Sequence, residues 1–79
     1  MITQSQIKTI IECEFVRTYE TKKVNAVAKA AAKFMNKYNK THLFSALSIV
    51  DGCIQMYNYE KDLFAFLERE KLNYIVKNS

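Results

Sequence analysis

His42 is the only histidine in this chain, and Cys13 and Cys53 are its only cysteines. Metal or thiol chemistry would have to be assembled from these three. A zinc site takes about four ligands, usually supplied as close pairs. Here the two cysteines are far apart and fit no C-x-x-C pattern. A cysteine nucleophile needs a base beside it in space, and no local signature surrounds either thiol. Glu12, Glu14 and Glu20 carry no spacing that marks an acid–base pair. The single glycine cannot build a phosphate-cradling loop. These residues point to no catalytic centre, no metal site and no cofactor, so the expectation is a protein that is not an enzyme.

The lysines are more informative. From Thr21 to Thr41 there are six lysines and no acid, while the rest of the chain holds six basic and eight acidic residues. The formal net charge of +4 is therefore +6 from this stretch and −2 from everything else. Such a one-sided field is a handle for an anionic partner. With Lys22 at the origin of a helical wheel, Lys29, Lys33 and Lys40 fall within about 20° of it and Lys37 within about 60°. Successive lysines at Lys29, Lys33 and Lys37 step about 6 Å along the axis, a spacing compatible with a phosphate backbone. The ordinary reading is a solvated face that keeps a small protein soluble. Lysine gives affinity without base readout, and no aromatic residue alternates with the lysines, which argues against a single-strand stacking platform.

Tyr38, Phe44 and Met56 are candidate apolar anchors at a protein interface. Ile49, on the far side of its helix, is expected to add exposed apolar area. Tyrosine is amphipathic and enriched at interfaces.

The elements that must position these residues read as helices. The chain has no proline and one glycine, which leaves little for the tight turns of a strand-rich fold. Residues 21–40 give the cleanest pattern. Val24, Val27, Ala28, Ala31, Phe34, Met35 and Tyr38 lie opposite the lysines, and Thr21 is a plausible N-cap. In 43–57, Leu43, Ala46, Leu47, Val50, Cys53, Ile54 and Tyr57 share an arc of about 120°, with Ser45 opposite and Thr41 as cap. A rival reads Asp51-Gly52 as a hairpin turn and the fold as α+β. A fourth helix starts at an Asn58 cap, with Glu60 and Asp62 in its first turn and Leu63, Phe66, Leu67 and Tyr74 as its stripe. Phe64 lies off that stripe and is free for a second contact, and residues 72–76 offer an alternative short strand. In the first segment, Thr3-x-x-Gln6 resembles a capping box. Ile7, Ile11, Phe15 and Tyr19 repeat every four residues, although a strand alternation competes there. The expected fold is all-α, a small up-down bundle of about four helices joined by two- to four-residue links.

Seventy-nine residues make one helical domain, 1–79, near the lower size limit for a self-sufficient core. Association into a homodimer or higher homo-oligomer is a common remedy at this size. No basic-then-apolar leader opens the sequence and no run approaches the roughly 18 apolar residues of a membrane span. The two cysteines read as reduced thiols. The expected setting is cytoplasmic, away from membranes.

The leading functional expectation is a small interaction protein, a regulator or inhibitor that occupies a larger macromolecule with an acidic surface. Its Lys- and Asn-rich, tryptophan-free composition suits a phage or mobile-element product acting on a host protein. The alternative is a nucleic-acid-binding protein that sets Lys22, Lys29, Lys33, Lys37 and Lys40 on phosphates. A lesser alternative is an oligomer that captures a small anionic nucleotide.

Overall fold

Thr3 opens the first helix as its sequence predicts. Its hydroxyl accepts from Gln6 N at 3.1 Å, and Gln6 Oε1 accepts from Thr3 N at 2.8 Å. Two otherwise orphaned backbone donors are thereby satisfied. The computed structural model describes residues 1–15 and 17–71. Within them lie four helices and no strand: α1 (Gln4–Glu14), α2 (Thr21–Lys37), α3 (Leu43–Met56) and α4 (Leu63–Arg69). The chain is a small all-α helical bundle. Tyr74 of the fourth stripe and the alternative strand at 72–76 lie outside the described residues.

The first segment is helical rather than extended, but it stops early. Phe15 is already extended, at φ −109° and ψ 134°. Ile7 and Ile11 are buried on α1, whereas Phe15 and Tyr19 pack against the core from the link that follows.

Three expected caps shift by a few residues. Glu20, not Thr21, is the N-cap of α2, and its side chain makes no capping bond. His42, not Thr41, caps α3, with its ring nitrogen accepting from Ser45 N at 3.4 Å. Asp62, not Asn58, caps α4 by accepting from Ala65 N at 3.1 Å. For α4 the reason is visible after Met56, whose carbonyl accepts from both Tyr59 N and Glu60 N at 2.9 Å. That turn uses up residues that would otherwise extend α4, which is left with seven residues. The links at 15–20, 38–42 and 57–62 are accordingly longer than expected.

The hairpin reading of Asp51-Gly52 fails, because both residues lie inside α3. Gln55 Nε2 donates to Asp51 Oδ2 at 2.8 Å, the i, i+4 pairing of one helical face. At the end of α2, Asn39 takes the left-handed conformation, φ 56°, that lets the chain reverse. Lys40 N then donates to Met35 O at 2.9 Å and Asn39 N to Asn36 O at 3.4 Å. This is a Schellman end with asparagine in the usual glycine position.

α2 touches all three other helices, α3 does the same, and α1 and α4 lie against this pair without touching each other. The central position of α2 explains its burial. Val27, Ala28, Ala30, Ala31, Ala32, Phe34 and Met35 are all buried, leaving one exposed band. The alanines let neighbouring helices approach closely. α3 likewise buries a broader and rotated arc. Ser45 and Ile49, expected on its outer side, are buried, while Leu43, expected inside, is 51% exposed. Neighbours on both flanks turn about half of the α3 circumference inward.

Phe34 is fully buried at the centre. Truncating it to alanine would cost about 3–5 kcal/mol. A domain of this length has only about 4–12 kcal/mol in total.

Candidate anion-binding groove

The exposed band of α2 carries Lys22, Asn25, Lys29, Lys33 and Lys37; Lys40, beyond the helix, is half-buried. The five candidate lysines are not equivalent. Lys37 Nζ donates to Glu68 Oε1, and Tyr38 OH donates to Glu68 Oε2 at 2.6 Å. Together they clasp the end of α2 to α4. The hydrogen bond from Lys37, followed by that from Tyr38, holds the Glu68 carboxyl below the ordinary carboxylate range. The same bond to Glu68 raises Lys37 above the ordinary lysine value. Lys22, Lys29 and Lys33 form no ion pair among the described residues.

These three lysines wall one side of a groove. The other side is the α3–α4 link and the start of α4. Two adjoining hollows of about 490 Å³ and 440 Å³ share Ala26, Lys61 and Leu63. Lys29, Lys33 and Phe64 line the first, and Lys22 and Tyr57 line the second. Two acids also border the groove, and both are engaged elsewhere. Glu60 accepts from Arg69 Nη2 at 2.7 Å, and Asp62 serves as the α4 cap. The groove thus presents four cations, with its carboxylates already committed.

One ring stands against a groove cation, and others stand against basic residues outside the groove. Lys33 Nζ lies 4.3 Å from the Phe64 centroid, and Lys37 Nζ lies 5.6 Å from the same ring. Lys23 Nζ lies 4.9 Å from the Tyr19 centroid and 5.6 Å from that of Tyr57. Arg17 lies 6.0 Å from Tyr19. The expectation that no aromatic alternates with the lysines is therefore corrected. The rings come from the links and from α4, which no helical wheel of α2 could reveal. Each contact is worth about 0.5–1 kcal/mol when exposed, enough to restrain a lysine without removing its charge.

The apolar anchors separate. Phe44 is 70% exposed next to the half-exposed Leu43. Tyr38 and Met56 are half-buried against the core, and Tyr38 is further occupied by Glu68.

The thiols and the histidine do not meet. Cys13 is exposed and Cys53 buried, both are free, and no hydrogen bond joins either to His42 among the described residues. Burial pushes the Cys53 thiol up to about 12, which keeps it protonated and inert. His42 instead faces Ser45, whose Oγ lies 3.1 Å from Nε2. That is nucleophile–base distance, but Ser45 is fully buried and closed to substrate. The pair closes the N-terminus of α3. Among the described residues no group of three or more His, Cys, Asp or Glu side chains gathers as metal ligands would. No described helix is long and apolar enough to cross a membrane.

Sequence reasoning missed Lys61, Tyr57 and Phe64 as groove residues. The one local signal was density, because Tyr57, Tyr59, Lys61 and Phe64 fall within eight residues. No known protein family, characterised protein or solved structure matches the chain.

Proposed function

We propose that this protein acts without chemistry of its own, by occupying an anionic surface of a larger macromolecule, as a regulator or inhibitor does. The observation that carries this reading is the unanswered charge of Lys22, Lys29 and Lys33. They stand exposed on one face, and no carboxylate of the described chain pairs with them. Lys61 adds a fourth cation across the groove. A merely solubilising face would intersperse both signs; here the acids at the rim are turned to internal bonds. Phe44 and Leu43 offer apolar area at the start of α3, which suits a second, smaller contact.

The test uses two fluorescent polyanions, a polyglutamate peptide and a short oligonucleotide, titrated with the protein at two salt concentrations. Binding to at least one of them should weaken as salt rises. The triple variant Lys22→Glu, Lys29→Glu, Lys33→Glu should abolish it while circular dichroism shows the helices intact. Failure to bind either probe, or binding that survives the triple reversal, would overturn the reading.

A further inference from the structure

We infer that the partner of this groove is a single-stranded nucleic acid, with phosphates on the lysines and unpaired bases on the tyrosines of the α3–α4 link. The inference rests on the anion-binding reading above and names its ligand. Single-strand binders combine a cationic groove that tracks the backbone with rings on which bases stack. Both parts are present and adjoin each other. Eight cation–ring contacts fall within 6.0 Å among the described residues. Five of them involve lysines of α2, and one, Lys33 on Phe64, sets a ring against an unpaired lysine of the groove.

The rings have different tasks. Phe64 lies under Lys33 and fixes the direction of that ammonium. Tyr57 lines the groove at its Lys22 end. Tyr59, two residues on and between the groove residues Asn58 and Glu60, is 83% exposed and makes no side-chain hydrogen bond among the described residues. An exposed tyrosine beside a basic groove offers a π-face to any base, which fits sequence-tolerant stacking. Lys22 to Lys33 spans about 16 Å of helix axis. That accommodates up to about five stacked nucleotides at 3.4 Å each. A duplex would meet the lysines but leave the rings unused. An acidic protein would have no need of a stacking face.

The experiment measures binding of dT8, U8, a DNA duplex of eight base pairs and a polyglutamate octamer to the full chain, by anisotropy across a salt series. Tyr59→Leu is the diagnostic variant, because its exposed side chain can be removed without touching the core. One or both single strands should bind more tightly than the duplex and the peptide. With three or four phosphates neutralised, the log–log salt slope should be about −2 to −3. Tyr59→Leu should weaken single-strand binding by about fivefold or more and leave polyglutamate binding unchanged. The ratio of dT8 to U8 then identifies the preferred sugar. If the duplex or the peptide binds as well as the single strands, or if Tyr59→Leu leaves single-strand affinity unchanged, the single-strand assignment is wrong and the anion-binding reading stands. If no probe binds, both fail together.

Discussion

Asn36 holds the backbone of Ile2 by both of its polar groups. Asn36 Oδ1 accepts from Ile2 N at 2.8 Å, and Asn36 Nδ2 donates to Ile2 O at 2.8 Å. One amide side chain on α2 thus pairs with the segment before α1 much as a neighbouring strand would. It sets Ile2, 7% exposed, into the core. Replacing Asn36 with leucine removes both bonds and strands two backbone groups, at a cost of about 1–3 kcal/mol. Urea unfolding should show the midpoint falling with no change in slope. An unchanged midpoint would mean that the N-terminal segment contributes nothing to the fold.

Gly52 sits inside α3 with no requirement for positive φ. Glycine in a helix interior costs up to about 1 kcal/mol relative to alanine. Gly52→Ala should therefore stabilise the protein by about 0.5–1 kcal/mol, seen as a rise in melting temperature. A hairpin at this place would respond in the opposite sense, so a clear drop would count against the helix itself.

The Lys37–Glu68–Tyr38 clasp makes stability depend on pH at both ends of the scale. Glu68 is depressed in the fold by its hydrogen bonds to Lys37 and Tyr38. Its contribution is present above the unfolded carboxylate value of about 4.3 and is lost as pH falls through the lower folded value. Lys37 is raised by the same partner. Its contribution is complete below the unfolded value of about 10.4 and is lost as pH rises through the higher folded value. Lys37 is exposed and Glu68 only half-buried, so the effect is modest and salt-sensitive. Glu68→Gln should flatten the acid limb of a plot of urea midpoint against pH. A wild-type acid limb retained in full would show that the clasp does not form in solution.

Thiol labelling separates the two cysteines. Cys13 is exposed, whereas Cys53 is buried with its thiol pushed up to about 12. A disulfide reagent at neutral pH should titrate one thiol in the native protein and two in denaturant. Cys53 should react only at the rate of unfolding. Rapid labelling of both thiols would show that α3 is not packed as described.

Much of the framework was legible because helix periodicity is local. The face of α2 follows from residue spacing alone, and so does the Thr3–Gln6 capping box. What stayed hidden depends on neighbours. Ser45 reads as a surface serine until α3 is flanked on both sides and its inward arc widens. Asn36 is one more polar residue of α2 in the sequence until Ile2 arrives from the other end of the chain. Lys37 looks like its fellow lysines until α4 brings Glu68 beside it. The groove itself is a tertiary object, because Lys61 and Phe64 lie about thirty residues or more in sequence from the Lys29 and Lys33 they face. A cap misplaced by one residue, as at Glu20 and Thr21, reflects a helix start held by backbone geometry rather than by a side-chain bond.

The helix that forms the middle of the core is also the helix that shows its lysines to solvent. Folding and the proposed binding are therefore linked, since the chain cannot lose α2 and keep its lysine face. A partner that prefers the folded chain adds about 2.7 kcal/mol at a hundred times its Kd, less whatever affinity the unfolded lysines retain. Each kcal/mol moves the melting temperature of so small a domain by about 4–8 °C. The unfolding temperature would thus be a sensitive gauge of the proposed binding, with no label on either molecule.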